Sequence, residues 1–512
     1  MNFKTYTSLF ACVLAISVLA CNPPKEEKKT NIIFILADDL GYGDITAFNE
    51  NSKIKTPHLD QLASEGMKFI DAHTSSSVCT PTRYGILTGR YNWRSTLKSS
   101  VLWGRSKALI SKERTTVGKV LQSTGYHTAF IGKWHLGWNW NMDSLGTIDF
   151  SKKVEHSPND VGFDYAYGHV ASLDIPPYVY VENGMSTAIP TDSTVNKGKY
   201  SWWRKGLTAP DFDHEDVTPN FFRRGIKYIQ ERAKEDKPFF LYLALPSPHT
   251  PILPSKEWQG KSGLNPYADF MMMIDDYVGQ LNQAVKEAGI EENTLIIFTS
   301  DNGCSPAAKI EEMTAKDHYP SYIYRGHKAD IFEGGHRVPF IAKWPGRIQK
   351  GSMTDQTICT TDFTATCASI AGYNLQDTEA EDSYNLLPLF DQDKIEGSFR
   401  EATVHHSING SFSLRKGDWK LIMCPGSGGW SFPRPGPDKE LLATMPKIQL
   451  YNLKDDPAES KNLQAEQPQK IEELKSLLTK YIKDGRSTPG TAQQNDPIDK
   501  EWKQLWWMEK EM

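Results

Sequence analysis

The chain has 512 residues, enough to bury a large core and to form more than one domain. Its formal charge is −5, from 58 basic and 63 acidic residues mixed along the sequence. That balance excludes a broad basic surface for nucleic acid or for a long polyanion, so recognition of any anionic ligand must be local.

At the N-terminus Lys4 precedes the apolar run Leu9 to Ala20, which is too short for a membrane span and suits a secretory signal over residues 1–20. The run ends Val18-Leu19-Ala20-Cys21, similar to a bacterial lipobox with its first two residues in imperfect order. Two readings follow: lipidation of Cys21 after cleavage, or an ordinary signal peptide cut nearby. Residues 21–30 are polar and contain Pro23-Pro24, as in a tether that holds a domain off a membrane. Lys25-Glu26-Glu27 resembles the surface-export signal of lipoproteins in Bacteroidetes-like bacteria. The expected location is the periplasm or the outer membrane of a Gram-negative cell, with the lipid as the sole attachment.

Four apolar, β-rich runs follow, each stopping at polar residues able to bind metal or move protons. Asn31 to Ala37 leads into Asp38-Asp39, and Tyr126 to Ile131 leads through Gly132 to Lys133-Trp134-His135. Phe239 to Leu245 gives way to Ser247-Pro248-His249, and Thr294 to Ser300 ends in Asp301-Asn302-Gly303. Continuous apolar runs suit strands covered on both faces of a mostly parallel sheet, where ligands gather beyond the carboxyl ends. The four clusters are therefore expected to meet.

Between the first two runs lies Cys79-Thr80-Pro81-Thr82-Arg83. Pro81 suits the first turn of a helix, which puts Cys79 at or just before a helix N-terminus, a place that favours anions. The helix is expected to end near Gly89 and to leave Arg83 one turn from Cys79. Asp38, Asp39, Asp301 and Asn302 would offer hard oxygen ligands, suited to Ca2+ or Mg2+, with Ca2+ the better fit to a site rich in protein oxygens.

These segments, in this order, resemble the formylglycine-dependent sulfatases of the alkaline phosphatase superfamily. The resemblance rests on Ala37 to Asp44, Cys79 to Arg83, Gly132 to His135, Pro248-His249, Asp301 to Gly303, Gly326 to Lys328 and Glu333 to Pro339, and it spans nearly the whole chain from Asn31. It implies an α/β fold, a large mixed and mostly parallel sheet sandwiched by helices, with a smaller C-terminal domain. It further implies that Cys79 is oxidised to formylglycine by a sulfatase-maturing enzyme. Ca2+ would be bound by Asp38, Asp39, Asp301 and Asn302, with an oxygen of residue 79 or of the sulfate completing the shell. Arg83 would hold the modified side chain, Lys133 and Lys328 would clamp sulfate oxygens, and His135 would be the base that lets sulfate leave. His249 and Lys328 are both candidates for the acid that protonates the leaving alkoxide, and Asp301 for help in activating the nucleophile.

The catalytic domain is expected over residues 31–393, ending in the polar connection Asp391 to Gly397. Beyond it, Phe412 to Ile422 reads as strand, turn at Gly417-Asp418 and strand, Gln449 to Leu453 as another strand, and Gln469 to Ile482 as an amphipathic helix. An antiparallel sheet covered by one helix over residues 394–512 results. Of seven cysteines, Cys304, Cys359, Cys367 and Cys424 have no assigned role, and export would permit some to pair.

Substrate choice belongs to segments the shared motifs leave free. Asp174 and Tyr178 in the run from His169, and the aromatic stretch Trp202-Trp203-Arg204, suit a sugar subsite; Arg94, His214, His336, Arg337 and His405 are further candidates. The Cys79 neighbourhood and the run Ser172 to Tyr178 resemble sulfatases of sulfated glycans, so the expected substrate is an algal glycan such as ulvan or carrageenan, or a glycosaminoglycan. Two rivals remain: a phosphomonoesterase or phosphodiesterase on the same fold, and an unmodified glycan-binding lipoprotein.

Overall fold

The computed structural model describes residues 29–392, 397–498 and 501–508. The signal segment, the Cys21 lipidation site, the tether up to residue 28 and the expected domain boundary at 393 lie outside the described residues.

A ten-stranded sheet forms the larger part. Its strands run in the order Ser352–Thr354, Met67–Phe69, Phe340–Lys343, Thr294–Ser300, Asn31–Asp38, Phe239–Pro248, His127–Lys133, Tyr165–His169, Val181–Glu182 and Met185–Ser186. The central five, from Thr294–Ser300 to Tyr165–His169, are mutually parallel. Phe340–Lys343 pairs antiparallel with Thr294–Ser300, which makes the sheet mixed.

The apolar runs are continuous because both faces are covered. Ile32 pairs with Phe240 and Phe34 with Tyr242, so Phe34 and Phe240 share a face, and both meet Phe363 of the helix Phe363–Ala371. Leu241 and Leu243 point the other way, toward Gly225 of the helix Val217–Arg232. That helix packs on Pro266–Glu287, which in turn packs on Pro57–Glu65. Every residue of Asn31–Asp38 is buried, which a strand exposed on one side cannot show.

Thr403–His406, Phe412–Lys416, Trp419–Ile422 and Gln449–Asn452 form the second sheet, each antiparallel to the next. Gly417 turns the middle hairpin with a left-handed φ of 56°. The helix Pro468–Lys483 covers this sheet, burying Leu474, Leu478 and Ile482 against Leu414, Leu421 and Leu450. The aromatic stretch Trp202 to Arg204 enters a strand, Trp203–Thr208, paired with Asp192–Asn196. Cys304, Cys359, Cys367 and Cys424 are buried free thiols, so the pairing that export would permit does not occur. No helix among the described residues is long and apolar enough to cross a membrane.

Candidate active site

The four predicted runs are neighbours in the sheet, and strands lie about 4.8 Å apart, so their carboxyl ends converge on one edge. The register sets Ala37 beside Ser300, Leu36 beside Ala244 and Ala244 beside Gly132. Gly132 is required there: its φ is 134°, and a Cβ would fall 1.9 Å from the Ala244 carbonyl oxygen.

Cys79 is the first residue of the helix Cys79–Thr88, after an extended Val78, and Gly89 closes the helix at φ 62° with its amide on the Gly85 carbonyl. All ten helical residues are buried. One turn in, Arg83 ties three strand ends together. Its Nε and Nη2 donate to Asp301 Oδ2 at 3.1 and 2.9 Å, Nη1 to the Lys133 carbonyl at 2.8 Å, and Nη2 also to the Leu245 carbonyl at 3.3 Å.

Asp38, Cys79 and Asp301 bring donor atoms within 4.8 Å of one another. Lys133 Nζ hydrogen-bonds Asp38 Oδ2, Lys328 Nζ lies 2.6 Å from Asp39 Oδ1, and Asn302 Nδ2 donates to the same oxygen at 2.7 Å. Asp38 Oδ1, Asp39 Oδ2 and Asn302 Oδ1 are buried with no protein partner. Orphaned buried oxygens are costly, and a set of three on neighbouring side chains fits a hard divalent cation. Burial, and then the charge of Asp38, push the Asp301 carboxyl up to about 7. Burial also acts to raise Asp38, but Lys133, His249 and Arg83 outweigh it and hold that carboxyl far below its ordinary range. A cation in their midst would let both carboxylates ionise together.

The two histidines have tautomers set by their partners. His135 Nε2 lies 2.9 Å from the Leu102 carbonyl, to which only an N–H can donate, so Nδ1 carries the lone pair; it is buried and unpartnered. His249 donates from Nδ1 to the Thr250 carbonyl at 2.6 Å and turns Nε2 toward Asp39 Oδ2 at 3.7 Å. Burial, reinforced by Lys133, holds His135 well below the usual imidazole range.

Sequence reasoning missed three supports. Thr80 donates to the His135 carbonyl at 2.8 Å and accepts the Leu102 amide at 3.2 Å. Tyr267 sets its hydroxyl 3.1 Å from the carbonyl of Asp39, a residue held at φ 69°, and hydrogen-bonds Asp44. His318 fixes Asp44 from behind at 2.9 Å. Asn265 and Pro266 signal the helix start in the sequence, but nothing there shows that Tyr267 faces Asp39.

The substrate candidates divide. Asp174 pairs with Arg204, and Tyr178, 1% exposed, donates to the Arg204 carbonyl at 2.7 Å. His336, Arg337 and His405 lie in a buried network. His336 and His405 are fully buried and join His73, while Arg337 pairs with Asp71 and Glu333 in the same network between the two sheets. That histidine trio is no shared metal site, because the His336 and His405 rings stack at 3.9 Å and 6°, and parallel rings cannot both point a lone pair at one ion. Arg94 is buried in an ion pair with Asp382, and His214 stacks on Trp203 at 4.0 Å.

A family model described as Sulfatase matches residues 30–373. The chain belongs to the sulfatase family. It is 31% identical over 495 residues to an N-acetylgalactosamine-6-O-sulfatase of Bacteroides thetaiotaomicron, covering 89% of this chain and 93% of that protein. It is also 31% identical to human arylsulfatase A, covering 94% and 92%. Among solved structures, a 6S-sulfatase from work on glycosaminoglycan metabolism by Bacteroides thetaiotaomicron superposes with a TM-score of 0.77 at 30% identity, over 88% of this chain and 99% of the other. A sulfatase from Pseudoalteromonas sp. gives 0.68 at 24%, over 89% and 90%, and shares the fold. This sulfatase is thus a sulfuric ester hydrolase.

Proposed function

We propose that the enzyme removes sulfate from sulfated polysaccharide or oligosaccharide fragments, of algal glycans such as ulvan or carrageenan or of glycosaminoglycans, using formylglycine at position 79 and one Ca2+. The observation that carries this reading is the meeting of Cys79, at a buried helix start, with Asp38 and Asp301, in a site where Asp38, Asp39 and Asn302 each keep an orphaned buried oxygen. The relatives named for N-acetylgalactosamine 6-sulfate and glycosaminoglycans support the glycan class.

Ca2+, held by Asp38, Asp39, Asp301 and Asn302, would supply charge neutralisation and a more acidic hydroxyl at residue 79. Oxidised and hydrated, residue 79 would offer two hydroxyls on one carbon, one to take the sulfuryl group and one to restore the aldehyde as sulfate leaves. Arg83 fixes Asp301 and the helix that carries residue 79. The ammonium groups of Lys133 and Lys328 reach the same carboxylates, close enough to the metal site to hold sulfate oxygens as charge shifts onto them. His135 Nδ1 is the atom poised to take the proton of the second hydroxyl, with the ring anchored through Nε2. Lys328 Nζ, or His249 Nε2 once the imidazole has taken a proton there, delivers a proton to the leaving alkoxide.

Maturation requires a partner enzyme that oxidises Cys79, and the Val18–Cys21 pattern supports export with lipid anchoring. Two measurements test the reading: the mass of the peptide holding residue 79, from protein made in its native host, and sulfate release from a panel of sulfated oligosaccharides. An aldehyde mass and turnover of at least one glycan are expected. A thiol at full occupancy would make the chain a glycan-binding protein instead. Hydrolysis of phosphate esters with none of sulfate esters would make it a phosphatase.

A further inference from the structure

Three segments remote in sequence meet beside His135. Leu102 touches the catalytic helix through Thr80 and anchors the His135 ring, so the next residue, Trp103, stands at the edge of the reaction site. The loop carrying Asp174 continues from Tyr165–His169, whose last residue pairs with Lys133. These two segments are docked tightly: a Cβ on Gly104 would fall 1.9 Å from the Pro176 carbonyl oxygen. The third segment brings Arg204, whose amide and Nη1 donate to the Asp174 carbonyl at 3.3 and 3.1 Å.

Arg204 is fixed in an unusual way for an exposed side chain. Its guanidinium carbon lies over two indoles, 5.2 Å from the centre of the Trp103 ring and 5.1 Å from that of Trp202, and Nη1 is bound by the Asp174 carboxylate. The opposite edge, Nε with Nη2, meets no protein acceptor among the described residues. That edge is the two-pronged face of arginine that matches a carboxylate or a sulfate, and here it is already oriented, so little side-chain entropy opposes binding. Asp174 offsets one charge and Glu312 pairs with Lys199, yet residues 103–107 and 197–205 also hold Arg105, Lys107, Lys197, Arg204 and Lys205 with no Asp or Glu. A locally cationic rim thus stands on a protein of net charge −5. Trp103 is 52% exposed, leaving indole surface on which a pyranose can stack.

We infer that Trp103, Arg204 and Trp202 form a subsite for the sugar adjoining the one whose sulfate is cleaved, and that this neighbour carries its own anion, a carboxylate or a second sulfate. The inference rests on the glycan sulfatase reading above and names the kind of chain it would accept.

The test measures binding by calorimetry to the Cys79→Ala protein, with and without Arg204→Ala. Three probes are used: a 6-sulfated N-acetylhexosamine linked to a uronic acid, the same disaccharide with its carboxylate reduced to an alcohol, and that reduced disaccharide with a second sulfate on the neighbouring ring. Arg204→Ala is expected to weaken at least one of the two probes with an anionic neighbouring ring about tenfold or more. The reduced probe without the second sulfate should change less than about twofold. Which of those two responds identifies the carboxylate or the sulfate as the ligand. Arg204→Lys, which keeps the charge and loses the fork, should fall between. Equal losses on all three probes, no loss on any, or no binding of any would overturn the subsite. Failure of the sulfatase reading would show separately, as an absence of sulfate release by the unsubstituted enzyme.

Discussion

At the scale of single residues, the site depends on side chains that never touch a substrate. Asp39 adopts a left-handed backbone at φ 69°, which a non-glycine residue occupies only when its surroundings hold it there. Its amide donates to Asp301 Oδ1 at 3.3 Å and its carbonyl lies against the Tyr267 hydroxyl, so both ends of the strained residue are tied. Tyr267→Phe removes the second tie and leaves the buried Asp44 carboxylate short of a donor. It is expected to lower the affinity for Ca2+ about tenfold, read by calorimetric titration of chelated protein, with a matching fall in kcat/KM. Unchanged Ca2+ affinity would show that Asp39 is held by its side-chain contacts alone. Cys79→Ala, by contrast, deletes the proposed nucleophile and little packing: turnover should vanish while the melting temperature stays within a few degrees of the parent. Asp301→Ala should lose metal and activity together, since it removes a proposed ligand and leaves buried Arg83 with Asp38, at 3.5 Å, as its remaining carboxylate.

Secondary-structure elements were legible wherever local chemistry and burial agreed. The four runs ending at Asp38, Lys133, Pro248 and Ser300 are strands within a few residues of their expected limits, because a strand covered on both faces must be apolar throughout. The helix from Cys79 ends at Gly89 as its proline and glycine foretell. Burial was the part that could not be read: composition marks His336, Arg337 and His405 as reactive but carries no sign that packing sets them in a buried network of ion pairs and neutral imidazoles between the sheets. Short edge elements such as Asp192–Asn196 have no apolar pattern to betray them. Two glycines separate backbone preference from packing. Gly125, at φ 95° with open space where a Cβ would stand, should cost about 1 kcal/mol on replacement by alanine. Gly132, at φ 134° with the Ala244 backbone in the way, should cost upward of about 3 kcal/mol and displace Lys133 and His135 with it. Calorimetric melting of Gly125→Ala and Gly132→Ala compares them directly; equal shifts would mean the strand end yields without loss.

For the molecule as a whole, the buried histidines set how stability responds to pH. His73, His135, His169, His214, His336, His405 and His406 are all buried, and burial is the leading cause that holds each below its ordinary value, His169 and His406 to about 3 and His214 to about 4. Unfolding returns them to about 6.5, so below that pH the unfolded chain binds protons that the folded chain refuses, and stability falls as pH falls. Raised carboxyls, Asp60 and Asp362 among them, work in the opposite sense. Asp275, Asp301 and Glu459 are pushed up to about 7, chiefly by burial, so between their ordinary range and pH 7 the folded state holds protons that the unfolded state releases. The depressed histidines outnumber the raised carboxyls, so on balance unfolding takes up protons near pH 5.5 and stability falls as pH falls through that window. Chelated protein should therefore melt at steadily lower temperature from pH 7 to pH 5.5, and calorimetry in buffers of different ionisation enthalpy should register proton uptake. A flat melting temperature across that window, or proton release, would mean that the histidines between the two sheets are protonated in the folded enzyme and that its C-terminal sheet is held by charge where neutral hydrogen bonds are expected.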